Sequence, residues 1–161
     1  LEGNDYEVYR NRAGNTSIYI NDGEGLMHEG HANSIIKDSK LIGNRGNTYL
    51  SLYKTAGVDG LLIRGNDIRT AGGIAAIYVV ADRNWDRHLC RNVIIEDNVT
   101  AGSGIQVAGS PAEGNVIRRN RFVPSSTDAP PGRIINQAEA LVEENTGYDV
   151  LTPPVVQSKG P

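Results

Sequence analysis

Residues 60–70, GLLIRGNDIRT, decide how the whole chain is read. Leu61 and Ile63 stand two apart, the spacing that puts both side chains on one face of a strand. Asn66 follows, and Ile68 resumes the apolar face beyond it, so the phrase reads as strand, bend, strand. It returns as Ile95 and Asn98 in NVIIEDNVT, as Ile117, Asn120 and Phe122 in NVIRRNRF, and as Val142 and Asn145 in ALVEENTG. A looser copy carries Ile36, Ser39 and Leu41 in SIIKDSKL, and Leu1, Asn4 and Tyr6 repeat the spacing at the start.

Taking Asn4, Ser39, Asn66, Asn98, Asn120 and Asn145 as register marks gives unequal steps of 22 to 35 residues. Unequal steps and period-two alternation exclude the strict-period helical repeats. Each repeat also holds a second strand: TSIYI (16–20), TYLSLY (48–53), AAIYVV (75–80), GIQV (104–107) and RIIN (133–136). Ile18, Leu50, Ile77 and Ile105 form its apolar column, with Ile20, Leu52, Val79 and Val107 two residues on. Coils of this kind predict an all-β fold, a parallel β-helix (solenoid) of about six rungs over residues 1–148. Stacked parallel strands place equivalent side chains one above another, so Leu1, Ile36, Ile63, Ile95, Ile117 and Val142 are expected to form an inward apolar ladder. The Asn column is expected to be structural, each amide bonding to the backbone and to the Asn of the next rung. The sequon at Asn98-Val-Thr should then be inaccessible, whereas a second sequon, Asn15-Thr-Ser, carries no such constraint.

These phrases resemble the right-handed parallel β-helix repeat proteins: pectate lyases, polygalacturonases, alginate epimerases and phage tailspikes. The resemblance spans nearly all of residues 1–148 and implies a right-handed solenoid, with activities on polysaccharides, as a lyase or hydrolase, or tailspike-like recognition. Catalytic patterns of those families are missing. Of the Asn-Thr-Asp, Asp-Asp, Gly-His-Gly and Arg-Ile-Lys set of polygalacturonases, only partial echoes occur at Gly30-His31-Ala32 and Gly65-Asn66-Asp67. The Tyr-Gly-Phe-Asp-Pro-His segment of alginate epimerases has no counterpart.

Composition agrees with short strands and tight turns. Gly supplies 19 of 161 residues against a usual ~7%, and Gly and Asn tolerate the positive φ that turns require. A net charge of −3 without a basic cluster argues against nucleic-acid binding, and no stretch has the ~18 apolar residues of a membrane helix. Cys90 is alone, so no intrachain disulfide forms; it is expected to be a half-buried small residue. The chain starts inside a repeat, which leads us to expect the C-terminal portion of a longer solenoid, its first rung docked on a missing N-terminal part or on another chain. PSSTDAPPG (124–132) reads as a proline-rich surface loop. From 149 to 161 the composition turns proline-rich, and Pro153 and Pro154 lack ladder donors, so this tail is expected to leave the solenoid.

Two long connections concentrate the rare residues. NDGEGLMHEGHAN (21–33) and ADRNWDRHLCRN (81–92) hold His28, His31, His88, Trp85, Met27 and Cys90, with one short link between them in the repeat order. At strand spacing they would lie ~10 Å apart and flank a groove. Asp22, Glu24, His28, Glu29 and His31 would form one wall, and Asp82, Arg83, Trp85, Asp86, Arg87 and His88 the other. Outward residues of the second strands, Tyr19, Ser51, Tyr78 and Gln106, would form the floor. Aromatic faces with carboxylates and amides suit sugar rings. His28, His31, His88 and Asp82 are the acid–base candidates, and Arg83 and Arg87 would neutralise a uronate carboxylate. Trp85, Tyr19, Tyr78, Gln106, Glu24 and Glu29 would bind substrate. No cofactor is expected: the 21–31 loop offers His28, His31, Glu29 and Asp22 to a divalent metal, but their spacing matches no ligand signature. Polysaccharide is the expected partner, and the location secreted, cell surface or virion. The competing reading is a non-catalytic structural or host-recognition solenoid of a virion spike, adhesin or surface protein, in which Trp85 and Met27 pin loops to the scaffold.

Overall fold

The computed structural model describes residues 7–10, 12–13, 18–21, 35–46, 50–55, 57–69, 75–81, 89–101, 104–109, 113–124, 126–127 and 131–151. Among these, all regular structure is β, in three sheets whose strands pair in parallel throughout. Sheet A stacks β1 (Glu7–Tyr9), β4 (Ile35–Ile42), β7 (Gly57–Arg64), β10 (Leu89–Glu96), β13 (Val116–Arg118) and β16 (Leu141–Glu143). Sheet B stacks β2 (Arg12–Ala13), β5 (Arg45–Gly46), β8 (Asp67–Arg69), β11 (Val99–Ala101) and β14 (Arg121–Val123). Sheet C stacks β3 (Ile18–Asn21), β6 (Leu50–Thr55), β9 (Ile77–Ala81), β12 (Gly104–Ala108), β15 (Gly132–Gln137) and β17 (Tyr148–Leu151). From β1 to β15 the chain visits A, B and C in that order five times.

Register explains the core. Val8, Leu41, Ile63, Ile95, Ile117 and Val142 pair in sequence across sheet A, and Leu41, Ile63, Ile95 and Ile117 have no exposed surface. Across sheet C, Ile18, Leu50, Ile77, Ile105, Ile134 and Val150 pair likewise. Side chains of all three sheets, including Ile68 and Phe122 from sheet B, join one buried cluster. No helix among the described residues is long and apolar enough to cross a membrane.

The repeat read at Ser39 is out of register by five residues. Leu41, not Ile36, pairs with Ile63, and Asn44, not Ser39, meets Asn66; Ile36 pairs with Val58 and Ser39 with Leu61. Gly46 occupies the place held by Ile68 in the next repeat, so that phrase lacks its second apolar mark. Leu1, Asn4 and Tyr6 lie outside the described residues. The strand layer also runs past the expected boundary at 148, because β17 pairs with β15 as far as Leu151; residues 152–161 lie outside the described set. Pro124, Ser126 and Thr127 of the proline-rich excursion are exposed and outside any strand, and β15 begins already at Gly132.

The amide ladder occupies the corner between sheets A and B. Asn66 Nδ2 donates to Asn98 Oδ1 at 2.8 Å and to the Leu41 carbonyl at 2.9 Å, and the Asn66 backbone N–H donates to the same Asn98 Oδ1 at 2.9 Å. Asn44, Asn98 and Asn120 donate in the same way to Asn66, Asn120 and Asn145. Each interior Asn thus satisfies corner groups that would otherwise be buried unpaired. Asn98 is 1% exposed, out of reach of glycosylation.

Immediately before each ladder Asn the backbone turns left-handed, at Gly43 (φ 67°), Gly65 (φ 65°), Asp97 (φ 56°), Arg119 (φ 52°) and Glu144 (φ 53°), and Arg10 (φ 49°) holds the same place after β1. A second left-handed column lies within the strands of sheet A at Asp38 (φ 48°), Gly60 (φ 84°) and Asn92 (φ 54°) and continues just before them at Gly114 (φ 82°) and Glu139 (φ 51°). Glu144 is exposed and spends conformational energy there that glycine would not. Glu144→Gly is expected to stabilise the fold by about 0.5–1 kcal/mol, the left-handed strain relieved less the entropy of a freer unfolded chain. A denaturation midpoint that falls instead would mean the position is not strained. Gly104 (φ 97°) is more constrained, since a Cβ there would collide with the Arg133 backbone of the adjacent strand.

Candidate functional site

The residues expected to form a floor share one column of sheet C. Tyr19, Ser51, Tyr78, Gln106 and Ile135 pair in sequence across β3, β6, β9, β12 and β15. Ile77, Val79, Ile105 and Val107 on either side are fully buried, so Tyr78 and Gln106, both partly exposed, face away from the core. Gln106 Nε2 donates to Gln137 Oε1 at 3.4 Å, a diagonal pair on that outer face. Gln137 was not foreseen, and carrying the period-two column two residues beyond Ile135 would have found it. For Tyr19 and Ser51 only the backbone position is described.

The two long connections leave and rejoin the fold at equivalent places. The first departs β3 at Asn21 and returns at Ile35 in β4; the second departs β9 at Ala81 and returns at Leu89 in β10. Asn21 pairs with Tyr53 and Tyr53 with Val80, while Ile35 pairs with Gly57 and Gly57 with Leu89. The ends of both connections are therefore anchored on sheets C and A, and the two sets of anchors stand two strand spacings, or ~10 Å, apart. Between them the chain crosses from Thr55 in β6 to Gly57 in β7 through Ala56 alone.

The second connection is shorter than expected. Leu89, Cys90, Arg91 and Asn92 belong to β10, and Cys90 is wholly buried in the core cluster rather than half-buried, with burial pushing its thiol up to about 12. Such a thiol is not a nucleophile. His28, His31, His88, Asp82, Arg83, Trp85, Arg87, Glu24 and Glu29 all lie outside the described residues. A scan of family models, a search of curated proteins and a search of solved structures returned no match.

Several charged groups of sheet A are engaged with one another. Glu96, its side chain 8% exposed, accepts from Arg118 Nε and Arg119 Nη2, each at 2.8 Å, with Arg64 Nη1 at 3.9 Å. Arg119 also bridges Asp97 at 2.8 Å, and that bond holds the Asp97 carboxyl below the usual carboxylate range. Asp59 takes Arg91 Nη2 at 2.7 Å and Asn92 Nδ2 at 3.0 Å. These pairs tie successive strands of sheet A together. Among the described residues no group of three or more His, Cys, Asp or Glu is placed to hold a metal; the 21–31 loop lies outside them.

Proposed function

We propose that the chain is a right-handed parallel β-helix of about six rungs that acts on or binds an extracellular or cell-wall polysaccharide. Repeated passage through sheets A, B and C supports the solenoid, and parallel β crossovers are almost always right-handed. The observation that carries the sugar-directed reading is that both long connections spring from one edge, on either side of the one-residue link at Ala56, beside the outward Tyr78 and Gln106. A surface framed by two such loops would fit an extended chain of sugar rings.

In this reading Trp85 stacks on a ring, Tyr78, Gln106, Tyr19, Glu24 and Glu29 bond to hydroxyls, and Arg83 and Arg87 meet a uronate carboxylate. His28, His31, His88 and Asp82 supply the acid and base. Incubation with a polysaccharide panel, followed by unsaturated products and reducing ends, tests the reading. Trp85→Ala is expected to weaken oligosaccharide binding by about 1–3 kcal/mol, the scale of one aromatic anchor, with the melting temperature unchanged. Product formation abolished by His88→Ala marks an enzyme. Binding without product marks a binding module, and no binding by any polysaccharide would favour the structural or host-recognition solenoid instead.

A further inference from the structure

Sheet A presents an apolar stripe on its outward face. Leu62, Ile94, Val116 and Leu141 pair in sequence across β7, β10, β13 and β16, and each alternates with buried residues, so all four point away from the core. Leu62, Ile94 and Val116 are partly exposed and Leu141 is 57% exposed. Parallel sheets are normally covered on both faces, and four aligned aliphatic side chains facing water call for a cover. Exposed Lys40 ends the stripe on β4.

Two residues further along each strand lies a second outward column, and its charges alternate: Arg64, Glu96, Arg118, Glu143. Read backwards, this column is its own complement. A second copy laid face to face, related by a two-fold axis along the strand direction between β10 and β13, puts Arg64 against the partner's Glu143. The same operation sets Glu96 toward the partner's Arg118, Leu62 against the partner's Leu141, and Ile94 against the partner's Val116. Glu96 is already enclosed by its own arginines; Arg64 and Glu143 make only long ion pairs within the chain, with Glu96 and Arg118 at 3.9 Å each, and with side chains 49% and 41% exposed they are the pair placed to reach across.

From the apolar stripe beside a charge column of reversed self-complementarity, we infer that the outward face of sheet A docks a second copy of this chain in a closed, antiparallel two-fold dimer. Such a surface is isologous, so association stops at two. The stripe is about 14 Å long at strand spacing, well short of a standard interface, which makes the dimer weak and concentration-dependent. This inference draws on sheet A alone and is independent of the sugar-directed reading.

Sedimentation equilibrium on the full chain, from about 10 μM to 1 mM, is expected to show a monomer–dimer equilibrium, the range open to a small patch. Ile94→Lys should give a monomer with an intact fold by circular dichroism. Arg64→Glu and Glu143→Arg should each raise the dissociation constant at least about tenfold, because each sets like charges against one another across the two-fold. Mixing these two variants should restore dimers, since every end contact in the mixed pair is again of opposite sign. Each variant also places like charges side by side within its own chain, beside Glu96 and Arg118 respectively, so recovery on mixing cannot come from intrachain repair. A monomer at every concentration, a trimer or open polymer, or a mixture that stays monomeric would overturn the inference. So would a folded Ile94→Lys variant that dimerises like the parent.

Discussion

Replacing Ile95 with Asp is expected to leave a chain that does not fold, whereas the same change at the adjacent Ile94 is expected to be tolerated. Ile95 has no exposed surface and lies between Ile63 and Ile117 in the inward ladder of sheet A. Among the described residues no cation faces that column, so an aspartate there must be buried ionised without a partner or take up a proton, and either costs several kcal/mol. Set against the ~5–15 kcal/mol that holds a domain together, with the loss of packing added, this removes most of the stability. Ile94 is partly exposed on the opposite face, where a carboxylate keeps its water. Far-ultraviolet circular dichroism through a urea titration distinguishes the two. A cooperative transition in the Ile95→Asp protein close to the parent midpoint would show that the assignment of faces is inverted.

The second large effect is expected at Asn98. Truncation to Ala removes the acceptor of the Asn66 backbone N–H and of Asn66 Nδ2, and the donor to the Ile63 carbonyl and to Asn120 Oδ1. Asn66 and Asn120 are each 1% exposed, so the groups left behind have no water to turn to. At ~1–3 kcal/mol for each of the two stripped buried donors, the expected loss is about 2–6 kcal/mol. Asn145→Ala should cost less, because Asn145 is only partly buried and, unlike Asn98, donates to no further Asn of the ladder. Equilibrium denaturation of the two variants tests the ranking. A loss below about 1 kcal/mol at Asn98 would mean that the freed donors find other partners.

The parts of the fold that could be read directly are those in which one side chain does one job in every repeat. Ile63, Ile95 and Ile117 are apolar because they face the core, and Asn66, Asn98, Asn120 and Asn145 are amides because only an amide donates along the ladder while accepting from it. Register failed at Ser39 because two phrases overlap in SIIKDSKLIGNRG, and Gly46 conceals the correct one by lacking a side chain. The left-handed column of sheet A went unread for a different reason. What Asp38, Gly60, Asn92, Gly114 and Glu139 share is a backbone conformation, and five positions filled by four residue types give no repeated letter to follow. Asn115 was missed with it, although it is 4% exposed and its Nδ2 donates to the carbonyls of Cys90 at 2.6 Å and Ala138 at 3.2 Å, while Val93 N–H donates to its Oδ1. β17 went unread because its last residues stand next to a proline-rich segment. Of the candidate site, the shared column of Tyr19, Ser51, Tyr78 and Gln106 followed from period two, while the other candidates lie in connections that no periodicity governs.

The amide ladder also has a direction. In Asn44, Asn66, Asn98 and Asn120 the two donors are met by an oxygen that the chain supplies 22 to 32 residues later. Asn145, at the end of the described ladder, turns its Nδ2 to the Glu143 carbonyl within its own coil. A polypeptide emerging from the ribosome would therefore complete each corner only when the next Asn has been made. The ladder is thus polar along the stack: its acceptors always come from the later repeat, and Asn145 alone among its members gives its side-chain donors only to carbonyls before it in the sequence.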